Sequence, residues 1–150
     1  MKQNKILFVA FLAFCVFYLS ACSKIKQREY YKDENNYLTS NAVVKEIIYK
    51  NEDNGIYLWL DHLDSAYQDS TFVLRGENVN IAIENGITNK VSTGTEITFT
   101  SAPRYFWDGY LMPIVYLKVN DEVLLHFKEG YGNLLDMLWA GIRPKFGKVR

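Results

Sequence analysis

The stretch Glu77-Asn78-Val79-Asn80-Ile81-Ala82-Ile83-Glu84-Asn85-Gly86-Ile87 decides how the chain folds, because two periods compete within it. Val79, Ile81 and Ile83 alternate as in a strand. Val79, Ala82 and Ile83 also fall at helical spacing, with Asn78 available as an N-cap and Gly86 as a C-cap. A strand would leave one unbroken run of strands. A helix would divide the chain, with three strands on each side. The capping residues favour a short helix.

Upstream, Ala42 to Lys50 is rich in β-branched residues (Val43, Val44, Ile47, Ile48) and reads as a strand. The cluster from Asn51 to Gly55 is a turn, with Asn54-Gly55 suited to positive φ. Ile56, Leu58 and Leu60 then share one face of a return strand, with Tyr57 and Trp59 on the other. Leu63 to Ser70 is a polar connection. Thr71 to Arg75 is a third strand, with Phe72 and Leu74 on one face.

Downstream, Gly94 to Ser101 alternates cleanly. Ile97 and Phe99 are expected to point inward, Glu96, Thr98 and Thr100 outward, and Pro103 ends the strand. Pro113 to Val119, the turn Asn120-Asp121, and Glu122 to Phe127 make a second hairpin. Asn133 is placed to cap a helix from Leu134 to about Ala140, with Gly141 and Pro144 as stop signals. Glu129-Gly130-Tyr131-Gly132 lacks the spacing and the lysine of a phosphate loop, so turn chemistry accounts for it.

Three strands, a short helix, three strands and a closing helix make a mainly β domain. Short strands joined by turns suit a small closed barrel, which leaves no exposed sheet edges. This element order resembles the OB-fold, in which a helix lies between the third and fourth strands. The resemblance implies an OB-like β-barrel of about five to six strands. A lipocalin would need about eight.

The chain is 49% hydrophobic and 15% aromatic, enough for a core, and its 17 basic side chains balance 17 acidic ones. Strong electrostatic steering is not implied, and nucleic acid is not the expected partner. The only cysteines are Cys15 and Cys22.

At the start of the chain, Lys2 and Lys5 precede an uncharged run from Ile6 to Leu19, followed by small residues Ser20 and Ala21 and then Cys22. Basic, apolar and small segments in that order form an export signal. The apolar run is short for a span, which needs about 20 residues. Leu19-Ser20-Ala21-Cys22 resembles the lipobox of bacterial lipoproteins. That resemblance implies cleavage before Cys22, a lipid on its thiol including acyl chains such as palmitate, and attachment to a membrane outside the cytoplasm, at the outer membrane or the cell surface.

Four segments follow: a signal peptide over 1–21, a flexible polar tether over 22–36, the barrel domain over 37–142, and a basic tail over 143–150. The tether could reach about 45 Å if extended, and Tyr30 and Tyr31 are the residues in it able to dock on the domain. The tail holds Arg143, Lys145, Lys148 and Arg150, which suit solvent best and otherwise anionic lipid head groups or a partner.

The richest candidate site is Arg104-Tyr105-Phe106-Trp107-Asp108-Gly109-Tyr110, between the fourth and fifth strands. Flat rings with an arginine and an aspartate suit stacking on sugar rings, on peptide side chains or on bases. Equally, Phe106 and Trp107 could fold back and plug the barrel end. Asp61, His62 and Asp64 offer two carboxylates and an imidazole for a cation, but their spacing matches no dedicated metal loop and a solvated strand end explains them better. His126 is expected on the rim of the last strand, without an identifiable nucleophile. No cofactor is called for. The expected function is a non-catalytic binding module for an envelope protein or peptide. The alternatives are glycan binding or metal-dependent hydrolysis.

Overall fold

The computed structural model describes residues 25–52, 54–61, 67, 71–103 and 111–140. A helix over residues 25–32 (α1) and a 3-10 turn, Glu34–Asn36, precede β1 (Leu38–Lys50), β2 (Gly55–Asp61) and β3 (Thr71–Arg75). Helices α2 (Glu77–Glu84) and α3 (Ile87–Lys90) follow. Then come β4 (Glu96–Ser101), β5 (Leu111–Val119), β6 (Glu122–Leu125) and α4 (Phe127–Ala140). The fold is mainly β, with all six strands in one sheet of order β3-β2-β1-β4-β5-β6.

Consecutive neighbours in that order run antiparallel. A further, parallel pairing joins β3 to β5, from Thr71 opposite Leu111 to Val73 opposite Pro113. The pairings β1–β2–β3–β5–β4–β1 therefore form a circuit. The stretch from Glu77 to Ile87 is helical: α2 ends at Glu84, and Gly86, at φ +89°, turns the chain into α3. Only glycine adopts that left-handed conformation cheaply. Gly76 holds the N-cap position, and Asn78 has a different task. Its buried amide donates to the Gly130 carbonyl at 3.0 Å and accepts from Asn133 Nδ2 at 2.9 Å, tying α2 to α4.

The alternation within strands is realised as burial. Ile56, Leu58, Leu60, Phe72, Leu74, Ile97 and Phe99 all lie in one buried cluster with residues of β5, β6, α2 and α3. Thr100, expected to point outward, is itself buried. At the centre of the cluster, the rings of Phe72 and Phe99 stand 4.8 Å apart, and Tyr67 meets both. The Tyr67 hydroxyl lies 2.9 Å from the Leu38 carbonyl and 2.8 Å from that of Ser101, a facing pair on β1 and β4. The connection read from sequence as polar thus contributes a fully buried core tyrosine. Its apolar ring fills the core while its hydroxyl satisfies strand-end carbonyls.

Four expectations need correction. β1 begins at Leu38 rather than Ala42, and it carries a bulge between Val44 and Glu46. β6 stops at Leu125, so His126 lies off the strand. α4 begins at Phe127 rather than Leu134, so Gly130 and Gly132 are helical residues and not a turn. A Cβ on Gly130 would come within 2.2 Å of the Val115 carbonyl oxygen, so the glycine permits α4 to touch the β5 backbone.

The fourth correction concerns the expected tether. Residues 25–36 form α1 and the 3-10 turn, and Tyr31 is fully buried. Tyr31 belongs to a second apolar cluster with Ala102, Val115, Leu134 and Leu138. Arg28 Nε donates to the Leu138 carbonyl at 3.0 Å and the guanidinium sits 5.1 Å from the Trp139 ring centre. At the other end of the pair, Tyr131 donates to the Lys32 carbonyl. Helices α1 and α4 are thus packed antiparallel.

Candidate binding groove

Three strands supply the groove floor. In the β1–β4 register, Thr39 faces Thr100 and Asn41 faces Thr98. In the β4–β5 register, Thr100 faces Tyr116 and Thr98 faces Lys118. Two cross-strand rows result: Thr39–Thr100–Tyr116 and Asn41–Thr98–Lys118. Their hydroxyls and amide hold one another in place. The Thr39 and Thr100 hydroxyls are 2.7 Å apart, and Thr98 donates to Asn41 Oδ1 at 2.8 Å. Alternation puts these side chains on the face opposite Ala42, Ile97, Phe99 and Leu117, which are in the buried cluster.

A cleft of about 620 Å³ lies over five of these six side chains, all but Asn41, and is bounded at one end by Glu34, Asn35, Tyr37 and Phe127. Smaller hollows of about 330 and 160 Å³ continue it along the shared residues Thr98, Asn41 and Glu96, as far as Asn120. The far wall is aromatic but occupied. Tyr37 stands edge-on to Phe127 at 5.9 Å and to Tyr131 at 5.5 Å, while Phe127 and Tyr131 stack at 5.6 Å. The Tyr37 hydroxyl donates to the Tyr31 carbonyl at 2.9 Å. Burial first, then the neighbouring Tyr131, Tyr31, Tyr30 and Glu34, push the Tyr37 phenol well above its ordinary range. It stays neutral and acts as a donor at any physiological pH.

Donors and acceptors fixed across three strands can satisfy an extended polar ligand. Among the described residues, no group of three or more His, Cys, Asp or Glu side chains is placed to hold a metal ion. Asp61 ends β2 exposed and lies 3.7 Å from Lys45, a surface pair. His126 is exposed where β6 passes into α4, and its carbonyl accepts from the Gly130 amide at 2.9 Å.

His62, Asp64, Cys22 and the segment from Arg104 to Tyr110 lie outside the described residues. The residues flanking that segment are Pro103, two past the end of β4, and Leu111, the first of β5; β4 and β5 are two of the three strands beneath the groove. Ser101, just before it, faces Leu38, the neighbour of Tyr37. Thr39, Asn41, Tyr116 and Lys118 were not singled out by sequence reasoning. The outward alternation of Thr98 and Thr100 was the legible half of the signal.

No family profile, curated protein or solved structure matches this chain.

Proposed function

We propose that the chain is an exported lipoprotein, held at a membrane by lipid on Cys22, whose sheet closes as a small OB-like barrel and serves as a non-catalytic binding module. The export reading rests on the order of basic, apolar and small residues ahead of Cys22. The barrel reading is supported by the pairing circuit and by helices between the third and fourth strands.

The observation that carries the binding role is the pair of polar rows beneath the 620 Å³ cleft and the hollows that continue it. Their alternating hydroxyl, amide and ammonium groups suit an extended segment of an envelope protein, which presents amides at strand spacing. Of the rings lining the cleft, those of Tyr37 and Phe127 are engaged with each other and with Tyr131, which leaves the half-buried Tyr116 as the ring on which a glycan would have to stack. A metal-dependent hydrolase gains no support from Asp61, which pairs with Lys45.

The test is a photo-crosslinking residue at Asn41 or Lys118 in intact cells. A discrete protein adduct at both positions, lost on Thr98→Arg, is expected. Absence of any groove-dependent adduct, with thermal stabilisation by envelope oligosaccharide instead, would transfer the groove to a glycan.

A further inference from the structure

Exposed apolar side chains collect at one end of the α1–α4 pair. Ile25, at the start of α1, is 55% exposed, and Trp139, at the end of α4, is 44% exposed. Antiparallel packing brings these ends together: Arg28, one turn beyond Ile25, bonds the Leu138 carbonyl and covers part of the Trp139 ring. A bilayer interface accommodates both a tryptophan ring and an arginine.

The sequence distance to the anchor turns this patch into an oriented surface. Cys22 precedes Ile25 by three residues, a span of roughly 10 Å at full extension. Lipid on Cys22 would hold the start of α1 at the head groups, and the end of α4 with it. Charge in the two helices near this end is mixed, and the sequence flanking them is basic. Glu29 and Asp136 are acidic, while Lys24, Lys26 and Arg28 are basic, and Arg143, Lys145, Lys148 and Arg150 follow α4 in sequence.

We infer that this end of the α1–α4 pair is a membrane-docking face. Ile25 and Trp139 lie in the interface of an anionic bilayer, and the polar groove stands off the surface. The inference rests on the lipoprotein reading and goes beyond it, replacing a domain on a long tether with a domain seated in one orientation. α4 has 14 residues and so spans about 21 Å. Phe127, at its far end, lines the groove. The groove is therefore presented away from the lipid, open to a partner in the envelope space.

The experiment uses the mature lipidated protein, which begins at Cys22 and so has lost Cys15 with the signal, in phosphatidylcholine vesicles with and without phosphatidylglycerol. A fluorophore is attached through Ile25→Cys, Trp139→Cys or, as the groove control, Asn41→Cys, and a quencher is carried on the lipid head group. Acylation occupies the native Cys22 thiol, so labelling is confined to the new site. Several-fold stronger quenching at positions 25 and 139 than at 41, enhanced by phosphatidylglycerol, is expected. Quenching at position 139 no stronger than at 41, in protein that carries the lipid, would overturn the docking face and leave the anchor standing, because the anchor alone holds position 25 near the head groups. An N-terminal peptide whose mass lacks the lipid would instead overturn the anchor. Using two docking-face positions guards against damage from losing the Trp139 ring.

Discussion

The two apolar clusters are built differently. The larger lies within the circuit of strands, and its members follow a period of two: Ile56, Leu58 and Leu60 on β2, Ile97 and Phe99 on β4. The smaller lies where α1 and α4 meet Ala102 and Val115, and it combines residues as far apart in sequence as Tyr31 and Leu138. The first couples every strand through shared backbone pairing. The second attaches α1 through side chains and a few hydrogen bonds to carbonyls. Cooperative unfolding is expected of the first and local release of the second.

The sharpest way to break that contrast is a pair of truncations. Phe99 is fully buried against Phe72 and Tyr67. Phe99→Ala should destabilise the whole domain by about 3–5 kcal/mol in urea unfolding. Tyr31 is as deeply buried. Tyr31→Ala, however, should release mainly residues 25–36, seen as rapid hydrogen exchange there while β1, β2, β4 and β5 stay protected. Exchange that rises equally in the strands of the Tyr31 variant would show that the two clusters are one cooperative unit.

The seam between the clusters is sharpened by two glycines in one helix. Gly130 sits where α4 touches β5, and a methyl group there meets the Val115 carbonyl. Gly130→Ala should cost about 1–3 kcal/mol through displacement of the helix. Gly132 has nothing within 4 Å of its would-be Cβ. Gly132→Ala should therefore stabilise by about 0.5–1 kcal/mol, because only the helix preference of alanine is felt. If the two variants moved the melting temperature in the same direction, close approach would not be the reason for Gly130.

The same division explains what was legible in the amino-acid sequence. Strand burial was readable because alternation is local: Phe72 and Leu74, or Ile97 and Phe99, declare an inward face without their partners. The parallel β3–β5 pairing leaves no local trace. The start of α4 was hidden because Gly130 and Gly132 serve tertiary contact and helix continuation in a pattern that otherwise signals a turn. α1 was hidden because polar residues surround the aromatic ones that dock it, and Tyr67 because a single ring within a polar stretch carries no period. The groove was half visible. Thr98 and Thr100 alternate outward in sequence, but only the registers show that Thr39, Asn41, Tyr116 and Lys118 stand beside them.

Tyr37 joins the groove to the smaller cluster and gives the mildest test of their coupling. Its hydroxyl donates to the Tyr31 carbonyl, so Tyr37→Phe removes one hydrogen bond and should cost about 0.5–1.5 kcal/mol at neutral pH. The larger signature is in alkali. Burial and neighbouring groups raise the Tyr37 phenol in the folded state, so the folded protein keeps its proton where the unfolded chain loses it. This contribution is fully present below about pH 10, the ordinary phenol value, and is lost as pH rises above it toward the raised folded value. Tyr131 and Tyr49 are raised in the same direction, so some alkaline loss will persist without Tyr37. The wild-type melting temperature should fall more steeply than that of Tyr37→Phe between pH 9.5 and 11. The two curves should converge as the pH rises. Parallel curves across that range would mean that the phenol is solvated in the folded protein. The aromatic wall of the groove would then be open, and the argument against a stacked sugar would lose its footing.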